Sequence, residues 1–274
     1  MAFPDTFQFS QASLQDYVDC PRRFQLRYVL MQPWPDLITG NPGEFEQQMQ
    51  RGAELHHLAH QYALGIDAER LTATIRDESL ARWWQTFLAH PPANLPQAIR
   101  RAEVRVAAPL AGFRLIAKYD LLAVEPAQRL VVVDWKTVRK PPNRTILAQR
   151  MQTYVYRYLA VEAGATFNGW RRPEPDQVEM MYWFAERGGT TERFAYDVEQ
   201  HAAAHDHLSG LLVQIAAQSG AIWPLTTNER HCRFCNYRSL CERDVKPGFL
   251  EDLDEDIEPA TLELDLEQVA EVEF

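Results

Sequence analysis

The stretch Leu130-Val-Val-Val-Asp-Trp-Lys-Thr137 decides the fold. Its opening apolar residues, most of them β-branched, are typical of a strand that is buried on both faces of a sheet. Just upstream, residues 113–119 alternate apolar and polar side chains and residues 121–124 are apolar, which predicts a second strand of the same sheet. The pattern therefore predicts neighbouring strands, with Asp120 near the end of one and with Asp134 and Lys136 at the end of the other.

The segments around these strands change repeatedly between helical and strand spacing. Helical spacing predicts helices at residues 10–30, with a restart at Pro21, and at residues 44–64, 78–90, 144–162 and 199–219. Alternating spacing predicts a strand at residues 103–106 and a hairpin of residues 177–185 and 190–196 around Gly188-Gly189. This order predicts an α/β fold with a central mixed sheet flanked by helices and a helical region at the N-terminus.

The composition is that of a protein with one good hydrophobic core. Of the 274 residues 46% are hydrophobic, and we expect a single domain at residues 1–248. Residues 249–274 are strongly acidic and predict a disordered tail, which carries 11 acidic residues and no Lys or Arg and so accounts for all of the net charge of −10. The net charge therefore does not exclude a nucleic-acid substrate. Since no apolar run approaches the roughly 20 residues that span a membrane, and no signal-peptide pattern is seen, we expect a cytoplasmic protein.

The charged groups at the strand ends predict a metal site. A carboxylate beside buried strands is costly unless it is paired or bound to a metal, and two converging carboxylates repel each other. A divalent cation removes that repulsion, and Mg²⁺ and Mn²⁺ prefer oxygen ligands of this kind. Lys136 lies two residues beyond Asp134 and so points to the same face of the strand. On spacing alone, the alternative is a buried Asp134–Lys136 ion pair beside an unrelated Asp120.

Four motifs resemble those of one nuclease superfamily. Tyr119-Asp120 followed by Asp134-Trp-Lys136 resembles the PD-(D/E)XK signature, with Tyr119 where Pro is usual, and the likeness is greatest to the RecB-type branch. That branch includes the nuclease domains of bacterial double-strand-break repair complexes and the CRISPR-associated RecB-like exonucleases. Three further motifs follow the order of that branch: Ser10 through Tyr28, Gly52-Ala-Glu-Leu-His56 and Gln152-Thr-Tyr-Val-Tyr156.

The resemblance implies a PD-(D/E)XK restriction-endonuclease-like core and a metal-dependent DNA nuclease, within this branch an exonuclease of DNA repair, recombination or CRISPR-type DNA processing. It implies that Mg²⁺ or Mn²⁺ binds to His56, Asp120, Asp134 and the backbone carbonyl of Trp135. The catalytic residues that it implies are Asp120, Asp134, Lys136, Gln152 and Tyr156.

Each implied residue has an expected role and, in places, an alternative. Lys136 is expected to orient the attacking water or to neutralise charge on the phosphorane, and Gln152 and Tyr156 to place the substrate. Glu103 lies on the polar side of its predicted strand and is expected to approach the same site. Because His56 and His60 share one helical face, a zinc site formed by these two residues stays open as an alternative.

The expected partner is DNA, either single-stranded or at its ends. No Walker motif is present, so a helicase would be a separate protein, and a CRISPR adaptation protein is the other expected partner. The alternative function is a catalytically weak DNA-binding subunit of a helicase–nuclease or DNA-processing complex. Basic residues interspersed with the aromatic residues Trp34, Trp135 and Tyr154 are expected to follow a nucleic-acid backbone; they are Arg22, Arg23, Arg100, Arg101, Arg105, Arg139, Lys140, Arg144 and Arg150.

The four cysteines predict a second metal centre. Cys232, Cys235 and Cys241 lie within ten residues, and Cys20 is the one other cysteine of the chain. Four thiolates suit Zn²⁺ or a [4Fe–4S] cluster, and the resemblance favours the cluster. Residues 231–243 would then form an iron–sulfur module that packs on the N-terminal helix and closes a long loop. A third alternative is a regulatory iron–sulfur or zinc protein without nuclease chemistry.

Overall fold

The computed structural model describes residues 7–35, 42–138, 140 and 143–249. Arg139 and the predicted disordered tail, apart from its first residue, lie outside these described residues.

A mixed six-stranded sheet lies at the centre of the fold. In chain order its strands are β1 (Gln8–Ser10), β2 (Ile99–Leu110), β3 (Phe113–Glu125), β4 (Arg129–Lys136), β5 (Val178–Phe184) and β6 (Thr190–Ala195). β1 pairs with β3 and β4 pairs with β5 in parallel, whereas the pairs β2–β3, β3–β4 and β5–β6 are antiparallel. The predicted strands and hairpin are confirmed; β1 was not predicted because three residues are too few to show a period.

Helices flank the sheet, as predicted. In chain order they are α1 (Gln11–Asp19), α2 (Pro21–Phe24), α3 (Pro42–Ala63), α4 (Ala68–Thr72), α5 (Glu78–Ala89), α6 (Arg144–Gln149), α7 (Met151–Glu162), α8 (Val198–Ala216) and α9 (Arg230–Arg233). Aspartate side chains cap the first amides of α4, α5 and α8, as expected at helix N-termini. Within the described ranges, the helices are too short or too polar to be membrane spans.

The N-terminal helices begin where the sequence predicts. Ser10 caps α1, and its side chain exchanges hydrogen bonds with Ser13 in a capping box. The chain then turns at Cys20, and Pro21 occupies the first position of α2, where its missing N–H costs nothing. The restart therefore places Cys20 at the corner between two helices.

The prediction of one continuous helix over residues 144–162 is wrong. The backbone of Arg150 is extended, with φ −65° and ψ 140°, so α6 ends and α7 begins anew at Met151. The Met151 N–H bonds to the side chain of Gln15 in α1, 3.1 Å away, instead of to the preceding turn. The Leu147 carbonyl accepts both the Arg150 N–H at 3.3 Å and the Thr153 hydroxyl at 2.5 Å. Tertiary contacts thus interrupt a helical sequence pattern that continues without a break.

The alternation of side chains along the strands creates two cores. On one face Leu130 and Val132 of β4 pack with residues of α1, α7 and α8. On the other face Val131 and Val133 pack with α3 and α5. The buried run that decided the fold is thus buried on both sides, as predicted, and the result is a helix–sheet–helix sandwich.

The two central strands separate at one end, and this separation positions the site. β2 follows one edge of β3 over its whole length, so β1 and β4 share the other edge. The pairing of β3 with β4 ends at Leu121 and Val133, after which Asp134, Trp135 and Lys136 pair with β5 alone. A notch opens between β3 and β4 as a result, with Asp120 on one side of it; we call this the β3–β4 notch.

Candidate active site and cysteine cavity

Asp120 bridges the β3–β4 notch. One carboxylate oxygen, Oδ2, accepts the Trp135 N–H at 2.7 Å, in place of the backbone carbonyl that a paired strand would supply. The other oxygen, Oδ1, lies 3.0 Å from Nδ1 of His56. The Trp135 side chain is buried against Phe87 and Trp183, which fixes the backbone groups that face the notch. The carboxylate is therefore held from two directions.

His56 enters the notch from α3 and contacts two oxygen atoms. Its Nδ1 faces Asp120, and its Nε2 lies 3.0 Å from the backbone carbonyl of Trp135. Both contacts are to acceptors, and a neutral imidazole has only one N–H. The ring can therefore donate to both oxygens only as an imidazolium, unless a cation takes the place of one proton.

Gly52 allows α3 to approach the end of β4. A Cβ atom at Gly52 would lie 3.1 Å from Oγ1 of Thr137, tighter than an ordinary contact. One turn earlier in α3, the Gln48 side chain donates to the Thr137 carbonyl at 3.0 Å. The glycine and the amide thus dock the helix on the strand end, and His56 follows Gly52 by one helical turn.

Asp134 and Lys136 form a second group on the same strand end, joined by Gln152 of α7. The Lys136 ammonium lies 3.1 Å from Oδ2 of Asp134 and donates to Oε1 of Gln152 at 2.9 Å. The Gln152 amide donates to Oδ1 of Asp134 at 2.7 Å. The three side chains form a closed ring of polar contacts, so the predicted spacing of Asp134 and Lys136 does place them on one face.

Tyr156 lies deeper than the sequence suggested. Its hydroxyl donates to the Lys118 carbonyl at 2.8 Å, and its own carbonyl accepts the Tyr119 hydroxyl at 2.9 Å. The ring is 4% exposed. Tyr156 therefore fixes α7 on β3 beside Asp120, and it is too buried to reach a substrate as first expected.

Glu103 joins the notch from β2 through a distorted backbone. Its neighbours Ala102 and Val104 pair with β3 on either side of Asp120, and Glu103 itself has a φ of 55°, in the left-handed region that residues other than Gly rarely adopt. One ligand atom each from His56, Glu103 and Asp120 lies within 4.8 Å of the others. Glu103 also forms an ion pair with Lys118. The expectation that Glu103 approaches the site agrees with this arrangement.

The two aspartates differ in their protonation. Burial raises the pKa of Asp134 to about 7, because the Lys136 charge offsets only part of the lost hydration and the Asp120 charge adds to the rise. Burial also acts on Asp120, but the His56 charge and the hydrogen bonds from His56 and Trp135 together lower its pKa below the ordinary value. Asp120 is thus an anion, while Asp134 holds a proton more readily.

The comparisons with known proteins show the family of this chain. A family model described as the PD-(D/E)XK nuclease superfamily matches residues 8–242, a range that includes every strand and all four cysteines. The chain belongs to the PD-(D/E)XK nuclease superfamily. Members of this superfamily hydrolyse phosphodiester bonds, and the central mixed sheet with flanking helices is consistent with the core of the superfamily.

Two solved structures are similar to this chain at low sequence identity. A protein from Eubacterium rectale, provisionally named as an exonuclease, aligns with a TM-score of 0.52 and 9% identity over 90% of this chain and 93% of its own. The structure named SSO0001 aligns with a TM-score of 0.42 and 11% identity over 89% of each chain. No curated protein matches the chain. At such low identity, the likeness to the first structure extends to the fold and no further.

The four cysteines of this superfamily member surround one cavity. Cys20, Cys232, Cys235 and Cys241 all line it. Two donors point at sulfur: the Tyr237 N–H lies 3.4 Å from Sγ of Cys235 and a guanidinium N–H of Arg243 lies 3.9 Å from Sγ of Cys232. The structure thus brings together cysteines that are more than 200 residues apart in sequence.

The segment before the cysteines docks on the N-terminal helices by ordinary packing. The Trp223 ring stacks on Phe24 with centroids 5.8 Å apart, and the Trp223 N–H donates to the Gln25 side chain at 2.9 Å. The Arg22 N–H bonds to the Pro224 carbonyl at 3.0 Å. Contact between the two ends of the fold therefore does not depend on the cysteines alone.

Some of the expected nucleic-acid contacts are excluded by burial. Trp135 is 5% exposed, Arg23 is 4% exposed and Arg150 is 6% exposed. Arg23 forms ion pairs with Asp16 and Asp19, so its charge is neutralised inside the protein. Arg144 is exposed but pairs with Glu192. Arg100, Arg101, Arg105 and Lys140 do lie at the surface.

Sequence reasoning missed several residues that build the site. Gln48 and Gln15 hold helices in place through single side-chain hydrogen bonds to backbone groups that are distant in sequence. No periodicity or spacing identifies such contacts, because they depend on which elements meet. The nearest signal for Gln15 was its place inside the N-terminal motif.

Proposed function

We propose that the protein is a metal-dependent DNA nuclease of the RecB-type branch that acts as an exonuclease and uses Mg²⁺ or Mn²⁺ at the β3–β4 notch. The observation that carries the proposal is the convergence of His56 and Asp120 with Glu103 beside the Asp134–Lys136 pair. These residues come from α3, β2, β3 and β4, so the fold as a whole assembles the site.

The chemistry of the donors fits a hard divalent cation. Oδ2 of Asp134 is buried and accepts no hydrogen bond from the described residues, although the Lys136 ammonium is 3.1 Å away. His56 stands between two oxygen acceptors, Asp120 and the Trp135 carbonyl. A cation would satisfy lone pairs of this kind. We propose that it binds His56, Asp120 and Glu103, whose ligand atoms lie within 4.8 Å of one another, with Asp134 and the Trp135 carbonyl as the remaining ligands of the expected set.

The residues around this position have separable roles in hydrolysis. A bound divalent cation would stabilise the charge that develops on the phosphate and lower the pKa of water. Lys136 would hold the attacking water or the non-bridging phosphate oxygen with its ammonium, whose position Gln152 fixes at 2.9 Å. Asp134 would accept a hydrogen bond or a proton from this water, and so orient it. Tyr156 would act only by holding α7 on β3.

For the cysteine cavity we propose a [4Fe–4S] cluster. Among the described residues, the sole group of three or more candidate ligand atoms within 4.8 Å of one another is the one in the β3–β4 notch, so no three sulfurs of the cavity lie that close together. The sulfurs of a zinc tetrahedron with Zn–S bonds of about 2.3 Å would lie only about 3.8 Å apart. Wider spacing suits a larger group that four thiolates surround.

A bound cluster would have to displace the protons of the cysteine thiols. Burial raises the pKa of Cys235 to about 12 despite the positive charge of Arg23 nearby. The thiol would therefore keep its proton unless a metal replaces it. A cluster bound by Cys20 and the three C-terminal cysteines would fasten residues 231–243 to the corner between α1 and α2.

Degradation of end-labelled DNA tests the nuclease. The purified protein, with Mn²⁺ or Mg²⁺, should degrade linear single- or double-stranded DNA, and Lys136→Ala should lower the rate at least about 100-fold. Lys246→Ala, which removes an exposed lysine near the C-terminal end of the described chain, is the matched control and should leave the rate unchanged. Equal rates in Lys136→Ala and the control would refute the assigned role.

A circular substrate separates exonuclease from endonuclease action. Closed circular single-stranded DNA should survive under conditions in which the linear form is degraded, and the labelled end that disappears first gives the polarity. Cleavage of the circle would make the protein an endonuclease. If folded protein cleaves neither substrate with either metal, the alternative of a DNA-binding subunit that needs a partner gains the stronger support.

A further inference from the structure

The first turn of α7 is held by a side chain from a different helix. Arg150, at the N-cap of α7, makes no side-chain capping hydrogen bond. The N–H of the next residue, Met151, is instead accepted by Oε1 of Gln15 in α1 at 3.1 Å. The exposed amides at a helix start need partners, and Gln15 supplies one of them.

Gln15 is itself oriented by the segment that carries Cys20. Its Nε2 donates to Oδ1 of Asp19 at 2.8 Å, and the guanidinium of Arg23 donates to Oδ2 of Asp19 at 2.7 Å. His231, from the other end of the chain, lies 3.8 Å from Oδ2 of Asp19. Asp19 directly precedes Cys20, and His231 directly precedes Cys232. Both cysteine-bearing segments therefore meet at the carboxylate that orients Gln15.

The other end of this chain of contacts is the active site. Gln152 follows Met151 and holds both Lys136, at 2.9 Å, and Asp134, at 2.7 Å. A shift in the start of α7 would move the Gln152 amide relative to both groups. We propose that Gln15 is a positioning residue that fixes the start of α7, and through Gln152 the Lys136–Asp134 pair, to the cysteine-bearing segments.

This inference rests on the proposed nuclease function for its kinetic part only. Gln15 does not touch the notch, so it acts through Met151 and Gln152 and is not itself a catalytic residue. The test perturbs the link at two places, Gln15 and Asp19, and measures amide exchange as well as the rate.

The test compares Gln15→Leu with Gln11→Leu, the same substitution one turn earlier in α1. Gln15→Leu should speed hydrogen exchange of the Met151 and Gln152 amides about tenfold, with the last turn of α7 unchanged. It should lower kcat about tenfold with the KM for DNA nearly constant, since a small displacement of a reacting group acts on the chemical step. Gln11→Leu should leave exchange and kcat unchanged.

Exchanging the amide of Gln15 and the carboxylate of Asp19 supplies a readout that a purely structural role would not give. Gln15→Glu keeps an acceptor for the Met151 N–H, but its carboxylate would repel that of Asp19. This variant should therefore also have a lowered kcat. Adding Asp19→Asn removes the repulsion and should restore kcat to within about threefold of the wild type, because two contacting residues couple non-additively. Additive losses in the double variant would contradict the proposal.

The outcomes separate this inference from the proposed function. Unchanged exchange and kcat in Gln15→Leu would overturn it, and so would equal losses in Gln15→Leu and Gln11→Leu. If the wild type cleaves no DNA, the nuclease proposal fails, and the exchange rates alone decide: faster exchange of Met151 in Gln15→Leu supports the positioning of α7, and unchanged exchange overturns it.

Discussion

The β3–β4 notch and the cysteine cavity gather ligands in opposite ways. In the notch the side chains touch one another directly, as His56 does with Asp120 and Lys136 with Asp134. In the cavity the four cysteines line one shared space, and no three of their sulfurs lie within 4.8 Å of one another. Strand register and a docked helix build the notch, whereas the meeting of two distant chain segments builds the cavity.

This difference predicts whether each bound group would contribute mainly to activity or mainly to stability. In the notch, protein contacts already restrain the ligands, so a missing cation should cost activity much more than stability. In the cavity, a metal group would itself be the crosslink between segments more than 200 residues apart, so its loss should cost stability. Four predictions, ordered from the largest expected effect to the smallest, test this contrast.

The largest effect is expected from Asp120→Asn. The amide retains the size of the side chain and one acceptor oxygen but removes the negative charge that faces His56. We expect initial rates of DNA cleavage to fall about 1,000-fold, equivalent to roughly 4 kcal/mol, with little change in the melting temperature. Asp206→Asn, at a carboxylate that is 86% exposed, is the control. If Asp120→Asn lowered the melting temperature as much as loss of a cysteine does, the contrast between the notch and the cavity would be refuted.

The next effect is expected from Cys235→Ser. Loss of one of four ligands should release the iron–sulfur group and lower the melting temperature by about 10 °C, corresponding to a few kcal/mol for a domain of this size. Packing of Trp223 on Phe24 should keep the remaining fold intact. Leu240→Ser, an exposed position in the same segment, should melt within about 2 °C of the wild type. Iron and sulfide assays on anaerobically purified protein check the cofactor, and one zinc with no iron would contradict the assignment.

The position of the notch could be predicted from the sequence better than the contacts inside it. Valine-rich β4 and the polar residues after it predict a strand end that carries charge, because burial and alternation are local properties. The capped start at Ser10 and the restart at Pro21 were equally local and were predicted correctly. The break at Arg150 could not be predicted, because it depends on a glutamine from another helix.

The burial of individual polar residues was the least predictable feature. Arg23 and Tyr156 read as surface or substrate-facing residues in the sequence, yet both are buried. Arg23 is stabilised by Asp16 and Asp19, and Tyr156 by backbone carbonyls, so partners that are invisible in a linear pattern decide their position. The meeting of Cys20 with the other cysteines was inferred from resemblance, because spacing alone gives no contact across 200 residues.

The third effect concerns pH in metal-free protein. Asp134 has a pKa of about 7 in the fold against 3.8 as its ordinary value, because of burial. Between these values the folded state binds more protons than the unfolded state, so the free energy of unfolding should fall as pH rises from about 4 to about 7. Asp120, with its lowered pKa, is ionised in both states over most of this range and adds little to the slope.

Urea unfolding with EDTA at several pH values measures this slope. Asp134→Asn should remove most of it, because an amide does not titrate over this range. Asp206→Asn should retain the slope. Added Mn²⁺ should reverse the trend in the wild type alone, because the ion competes with the proton; the same slope in Asp134→Asn would assign it to another group.

The smallest effect probes the docking of α3 on β4. In Gly52→Val the branched side chain would meet Oγ1 of Thr137, to which even a Cβ would lie at 3.1 Å, and should push His56 away from Asp120. We expect cleavage to fall about tenfold, or roughly 1.4 kcal/mol, and to recover in part at high Mn²⁺, because a displaced ligand weakens metal binding. Gly210→Ala is the matched control, since a Cβ there meets nothing within 4 Å in α8, and it should be neutral or slightly stabilising. If high Mn²⁺ does not restore the rate and the melting temperature also falls, Gly52 contributes mainly to the stability of the fold. That result would weaken the distinction between a notch restrained by protein contacts and a cavity crosslinked by a metal group.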